Sequence, residues 1–235
     1  PHVDKLGGVP IFWGHTISAA QGSKSVTDAV ITPVESDGSV DTSHTRHISC
    51  DLIAISMGWT PANGLLYQAG GHLAYDAEHA EIQPVSLPPG VYGTGRVNGT
   101  HGVDSQLSEG HLTGLAAAAF LGLCSNPSDE EQEAIAAKRD AEPPRSSTLV
   151  SMPGKKKRFV CYCEDVTDVD IDTAISEGYN SLELLKRYST LSMGPCQGKM
   201  CSMNAVHLCA RANEATIDDT GTPTSRPPAS PVSLG

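Results

Sequence analysis

Apolar and polar positions alternate over residues 16–20 and again over 26–34, the period-two pattern of half-buried strands. Asp37-Gly38, a hairpin signal, stands between the second run and the next candidate strand. Cys50-Asp51-Leu52-Ile53-Ala54-Ile55-Ser56 is denser and reads as a strand buried on both faces, broken by Met57-Gly58-Trp59-Thr60-Pro61. Leu87-Pro88-Pro89-Gly90 predicts a turn, and 91–94 a short strand. The glycine-rich loop Gly95-Arg96-Val97-Asn98-Gly99-Thr100-His101-Gly102 then leads into a predicted helix over 105–123. Gly110, Gly114 and Ala118 stand four apart on it, a bare side suited to lying close on a sheet.

Beyond residue 124 the pattern changes. Residues 126–139 are acidic and rich in Ala, Glu and Gln, a surface helix, and 141–158 are rich in Pro, Ser and Lys, a linker holding a domain boundary. Thr167-Asp168-Val169-Asp170 has capping-box spacing with Asp for Glu, and Gly178 suits the stop of the helix that ends at Glu177. Ser181 caps a second short helix through Tyr188. Cys201 opens a third, to about Ala215, with Ala205, Leu208, Cys209, Ala212 and Ala215 on one face. The expected fold class is α/β, followed by a small, mostly α-helical domain. The expected divisions are 1–124, 125–158, 159–216 and 217–235, and no internal repeat is visible.

The 235 residues carry a formal net charge of −11, which disfavours nonspecific binding to nucleic acid or anionic lipid. The basic run Lys155-Lys156-Lys157-Arg158 reads as a solvated linker edge. No apolar run reaches membrane-spanning length and no secretory signal is visible. An opening without methionine and a Pro-rich end at Arg226-Pro227-Pro228-Ala229-Ser230-Pro231 read as an internal piece of a longer polypeptide. Seven cysteines, an odd number, do not form a secreted disulfide framework, and a reducing cytoplasm is the expected compartment.

Four of the cysteines carry chemistry by their spacing. Cys161 and Cys163 form C-x-C, and Cys196 and Cys201 enclose Gln197-Gly198-Lys199-Met200. Soft thiolates select iron–sulfur clusters or zinc. Zinc knuckles usually use C-x2-C or C-x4-C in both halves, so spacing favours iron–sulfur, with a zinc staple and unligated core cysteines as the other readings. Gly194, Pro195 and Gly198 allow the tight backbone such a site needs, and nearby amide N–H groups can donate to sulfur. Cys50, Cys124 and Cys209 read as packing residues.

The loop at 95–102 is the second candidate. Glycines before a helix N-terminus let a pyrophosphate or flavin carbonyl approach free N–H groups, although such a turn is more often simply a turn. The expected contacts are Gly95, Asn98, Gly99 and Gly102. Gly93-x-Gly95-x-x-x-Gly99 lacks the G-x-G-x-x-G spacing of a dinucleotide fingerprint. His101 lies in the loop, while His44 and His47 fall in a predicted hairpin. Neither a nucleophile elbow nor a P-loop is present. Asp165, Asp168, Asp170 and Asp172 read as helix N-terminal charges. These residues therefore predict no catalytic acid, base or nucleophile.

Phe159-Val-Cys-Tyr-Cys-Glu-Asp-Val-Thr, Ala174-Ile-Ser-Glu-Gly, Glu183-Leu-Leu-Lys-Arg-Tyr-Ser-Thr and Met193-Gly-Pro-Cys-Gln-Gly-Lys-Met-Cys together resemble the bacterioferritin-associated-ferredoxin-like 2Fe–2S domain. More narrowly they resemble that domain in alpha subunits of sarcosine oxidase-like amine oxidoreductases, whose relatives act on proline, opines and glycine. The resemblance implies a 2Fe–2S cluster on Cys161, Cys163, Cys196 and Cys201. Residues 50–61 with 89–99 resemble the closing half of a two-dinucleotide flavoprotein, which implies a partial FAD or NAD site. Many members have a Gly-Asp at the loop's end, where Asn98 stands here. The tail, Thr224-Ser225-Arg226-Pro227-Pro228 onward, resembles the entry to a folate-binding, aminomethyltransferase-like domain. The resemblance further implies a flavin-bearing beta subunit, with room for further small subunits, and a small secondary or N-methyl amine such as sarcosine. A stand-alone electron carrier and a zinc-stapled interaction module are the rival readings.

Overall fold

In the computed structural model, residues 7–56, 58–140, 158–230 and 232–233 are described. They divide into two compact units, one up to Gly58 and one from Trp59 onward. In the first unit the two alternating runs become β1 (His15–Gly22) and β2 (Val26–Pro33). They pair antiparallel, His15 opposite Pro33, and β3 (Arg46–Ser49) adds to the other edge of β2 with Asp28 opposite Ser49. Gly22, at φ +135°, makes the tight turn between β1 and β2, where a Cβ would collide with the Ser25 carbonyl.

The ladder stops at Ser49. The strand expected over 50–56 does not form, and Leu52 and Ile55 lie 77% and 73% exposed. A strand apolar on both faces needs neighbours on both edges, and none is paired with it among the described residues. Residues 91–94 are likewise extended but unpaired. Every named sheet among the described residues is antiparallel.

The second unit begins with α1 (Gly64–Gln68) and the hairpin β4 (His72–Asp76)–β5 (Glu81–Ser86), neither of which the pattern of apolar residues announced. A 3-10 turn at Gly95–Asn98 leads to α2 (Val103–Phe120), and α3 (Asp129–Asp140) packs beside it. Both predicted helices are present. The bare side of α2 does not meet a sheet among the described residues: a Cβ on Gly114 would meet nothing within 4 Å. The linker expected over 141–158 lies outside the described residues except Arg158.

The cysteine-bearing segment holds the largest buried cluster. β6 (Phe159–Cys161) and β7 (Val166–Thr167) form a small ribbon, followed by α4 (Asp168–Ser176), α5 (Leu182–Ser189), α6 (Ser202–Ala212) and α7 (Ile217–Thr220). The capping box forms: Asp170 accepts from the N–H and hydroxyl of Thr167 at 2.8 and 2.7 Å. α4 ends in a Schellman motif, with Tyr179 N–H on the Ala174 carbonyl and Gly178 N–H, at φ +96°, on that of Ile175. Ile171, Ala174, Leu182, Leu185, Leu191, Ala205, Val206 and Cys209 then close over one another. The chain after α7 runs back over the unit. Thr224 N–H reaches Glu183 at 2.6 Å, Gln68 reaches the Ser225 hydroxyl at 3.2 Å, and Asp218 takes the Tyr75 N–H at 2.7 Å.

Leu185 is fully buried at the centre of this cluster. Leu185→Ala is expected to cost about 2–5 kcal/mol in urea unfolding followed by circular dichroism. Asp168 ties β6 to α4. Burial opposes its charge, but the Arg158 N–H and guanidinium, the latter at 2.7 Å, hold it below its ordinary 3.8. A depressed carboxyl stabilises the fold above the unfolded value and loses that contribution as pH falls through the folded one. Asp168→Asn is therefore expected to lower stability at pH 7 and to converge with the parent in acid, as pH falls through the lowered carboxyl value.

Candidate functional site

The four spaced cysteines come from four places on one unit. Cys161 ends β6, Cys163 sits in the turn to β7, Cys196 lies in the loop after α5, and Cys201 is the N-cap of α6. Cys161 and Cys201 are buried, at 1% and 0% exposure, inside the apolar cluster. Cys196 is half-buried and Cys163 exposed. The thiols act on one another's ionisation chiefly as two neighbouring pairs, Cys163 with Cys196 and Cys201 with Cys161. The pairs also feel one another's charge, Cys163 that of Cys161 and Cys201 that of Cys196.

The loop 190–200 brings them together by unusual backbone. Thr190, Ser192 and Gln197 have positive φ, and Gly198 lies at +78°. Gly194 has no room for a side chain, since a Cβ there would strike Cys163 Cβ and the Glu164 side chain. Amides turn toward sulfur as a result. Burial works against the Cys196 thiolate, but N–H groups of Met200, Gly198 and Lys199 and the Cys163 thiol bring Cys196 below its ordinary value. The Cys196 N–H favours a thiolate at Cys163. It is outweighed by the neighbouring thiol, by desolvation and by the charges of Cys196 and Cys161, and Cys163 is raised. Burial first, then the charge and thiol of Cys161, push Cys201 up to about 12 against the Ser192 N–H.

No three His, Cys, Asp or Glu side chains among the described residues converge as a ready single-ion site. The four thiols nevertheless lie near enough to influence one another's charge, Cys163 with Cys196 and Cys161, and Cys201 with Cys161 and Cys196. Such a donor set is all sulfur, free of carboxylate and imidazole, and suits a soft metal centre with two thiolates on each of two metals. Of the cysteines read as packing residues, Cys209 is buried and accepts from Asn213, and Cys50 is half-buried. Cys124, which follows α2, is exposed rather than packed and donates to the Leu115 carbonyl at 3.5 Å.

The glycine-rich loop is held differently from expectation. Gly95 and Gly99 have positive φ, Gly99 packs on the Gln83 side chain, and Gly102 is the N-cap of α2 without a side-chain cap. Asn98 donates its amide to Glu109 at 2.6 Å, and Gly95 N–H donates to the other oxygen of the same carboxylate at 2.6 Å. Glu109 is buried on α2, and nothing in the sequence pattern marked it as part of the loop. Its one signal was an acid within a stretch of small and apolar helix residues. His101 pairs with buried Glu81 at 2.8 Å, and its ring stacks on that of His79, which is itself bonded to Asp76. His44, at the surface, pairs with Asp41, whose carboxyl the Ser43 and His44 hydrogen bonds lower to about 2.

Residues 155–235 match the sarcosine oxidase A3 domain. The sarcosine oxidase alpha subunit of Rhizobium meliloti is 35% identical over 193 residues, covering 81% of this chain and 19% of that protein. An opine oxidase subunit from the same organism is 31% identical over 191 residues, 76% of this chain and 38% of that protein. Hydrogen cyanide synthase subunit HcnB of Pseudomonas protegens is 26% identical over 218 residues, 84% and 45%. The chain thus spans less than half the length of these relatives. A solved L-proline dehydrogenase from P. horikoshii superposes with a TM-score of 0.70 at 21% identity, over 93% of this chain and 43% of that one, and shares its fold.

Alkylation of the reduced, metal-free chain with iodoacetamide, read by peptide mass spectrometry, is expected to mark Cys124 and Cys163 first. Cys161 and Cys201 are expected to label only on denaturation, because the apolar cluster covers both sulfurs.

Proposed function

We propose, from the match of residues 155–235 to the sarcosine oxidase A3 domain and the likeness to sarcosine oxidase and opine oxidase subunits, that this chain is a segment of the alpha subunit of a multisubunit, flavin-dependent amine oxidoreductase. Its redox element is a 2Fe–2S cluster held by Cys161, Cys163, Cys196 and Cys201. The observation that carries this reading is the gathering of these thiols as two pairs, one buried and one at the surface, with amides turned toward Cys196.

When bound, the cluster supplies one-electron transfer. This chain's residues supply the rest. Cys161 and Cys201 anchor the group to the helical core. Cys163 and Cys196 keep one edge near solvent, within reach of a partner. Amides of residues 198–200 offset thiolate charge at Cys196, which raises the ease of reduction. Gly194 gives the clearance that lets its loop lie against Cys163. No residue described here transfers a proton to or from a substrate in this scheme.

The relatives bear names of subunits of sarcosine oxidase, opine oxidase and hydrogen cyanide synthase. These names support an amine substrate, sarcosine or a related secondary or N-methyl amine, handled with a flavin-bearing beta subunit. Within the chain, residues 1–124 are proposed as the closing part of an FAD- or NAD-binding domain, 125–158 as an acidic helix and linker, 159–216 as the cluster domain, and 217–235 as the lead to a folate-binding domain. Among the described residues no helix is long and apolar enough to cross a membrane. The proposed location is cytoplasmic, where thiols stay reduced.

Anaerobically prepared protein is expected to contain iron and inorganic sulfide in equal amounts, with visible absorption between about 400 and 600 nm and a rhombic electron paramagnetic resonance signal on reduction. Replacement of any one of the four cysteines by serine is expected to abolish or grossly alter both spectra. Gly194→Ala is expected to lower iron content severalfold while far-ultraviolet circular dichroism is kept. Colourless protein with one tightly held zinc would overturn the proposal.

A further inference from the structure

Ser192 brings a hydroxyl into the loop that gathers the cysteines and bonds it to nothing there. The residue is 8% exposed, and its Oγ is buried without a hydrogen-bond partner among the described residues, cysteine sulfurs included. Neighbouring hydroxyls are occupied: Ser189 donates to the Leu185 carbonyl at 2.7 Å and Thr190 to the Ser189 carbonyl at 2.6 Å. A buried hydroxyl left in this way is costly, and it points to an acceptor that the chain itself does not provide.

The backbone makes serine an unfavourable choice at this position. Met193 N–H closes a turn onto the Thr190 carbonyl at 3.0 Å, and Ser192, the third residue of that turn, lies at φ +63°. Such a place favours glycine or asparagine. A glycine would remove both the strain and the orphaned hydroxyl, so the side chain is kept against two costs. Two contacts fix where it stands. The Ser192 N–H is turned to Cys201. Its Cβ lies 3.0 Å from where a Gly198 Cβ would be, and the Gly198 N–H is turned to Cys196. The hydroxyl is thus carried among the backbone groups that serve two of the four sulfurs.

We infer that the Ser192 hydroxyl donates a hydrogen bond to an inorganic sulfide of the group held by Cys161, Cys163, Cys196 and Cys201, and makes that group easier to reduce. The inference rests on the 2Fe–2S reading of the site. Reduction adds one electron, and with it one negative charge spread over the sulfurs, so a donor at sulfur favours the reduced form over the oxidised one. Ser192 is not a ligand and moves no proton; it sets the balance between the two forms. A water bonded to the hydroxyl would satisfy it without touching sulfur, and the test separates the two.

The experiment uses the full chain, prepared anaerobically with its iron, as the parent, Ser192→Ala and Ser192→Gly. Dithionite titration followed by electron paramagnetic resonance gives each midpoint, the electron coming from dithionite. Both variants are expected to keep the parental iron and sulfide content. Both should be harder to reduce by about fivefold or more, a midpoint lower by about 40 mV at 59 mV per decade for one electron. Iron–sulfide stretching bands in resonance Raman spectra should move less on transfer to D2O in the variants than in the parent. Glycine relieves the turn and alanine does not, so like shifts in the two assign the effect to the hydroxyl rather than to the backbone. If Ser192→Ala fails to hold iron, Ser192→Gly carries the comparison. Parental midpoints, a shift in only one of two variants that hold iron, or loss of iron from both, overturn the inference and leave the 2Fe–2S reading standing. A parent without iron and sulfide overturns both.

Discussion

The hydrophobic core of the cysteine segment and its candidate metal site are one object. Cys161 and Cys201 are members of the cluster formed by Ile171, Leu185, Leu191, Ala205 and Val206, not surface groups placed near it. The same burial that stabilises these helices drives the Cys201 thiol far above its free value. A buried thiolate is costly unless something positive compensates it, and a soft metal centre does so directly. On the proposed reading folding and metal loading would be linked: each proton lost on ligation would be one that the apolar surroundings otherwise hold in place. Cys163 and Cys196 lie on the other side of that balance, one exposed and one half-buried, with amide donors beside them.

The glycine-rich loop shows the opposite economy of charge. Its glycines open the backbone, but its shape is held by a buried acid on the following helix. Glu109 gathers Thr94, Gly95 and Asn98 around one carboxylate, and Gln106 binds the carbonyls of Thr100 and His101 from the next turn of α2. The loop is thus fastened to its own helix rather than left to a ligand. Nearby, the paired imidazoles of His79 and His101, each with its own carboxylate, bind the β4–β5 hairpin to the same loop. A residue that looked in the sequence like a ligand contact is in this way a structural donor.

Elements whose determinants are local were legible. The alternation over 16–20 and 26–34 became β1 and β2, because period-two burial is written residue by residue. Thr167, Asp170, Gly178 and Ser181 marked the ends of α4 and α5, because caps act within four residues. The strand expected over 50–56 and the sheet-facing side of α2 depended on neighbours distant in sequence, and neither is realised among the described residues. The β4–β5 hairpin escaped notice because its Glu, Gln and Pro positions dilute the apolar signal, and its buried Glu81 pairs with His101, which only the fold brings to it.

The sequence by itself determined which atoms are on hand: four thiols in two close-spaced motifs, glycines where the backbone must turn sharply, and helix ends that hold the motifs apart. It did so because spacing and capping are short-range. Tertiary structure alone decided which two thiols enter the core, which thiol neighbours which, and which end of Asn98 is turned toward Glu109. Those choices rest on burial and on donor–acceptor matching between residues far apart along the chain, and such matching exists only once the chain has closed on itself.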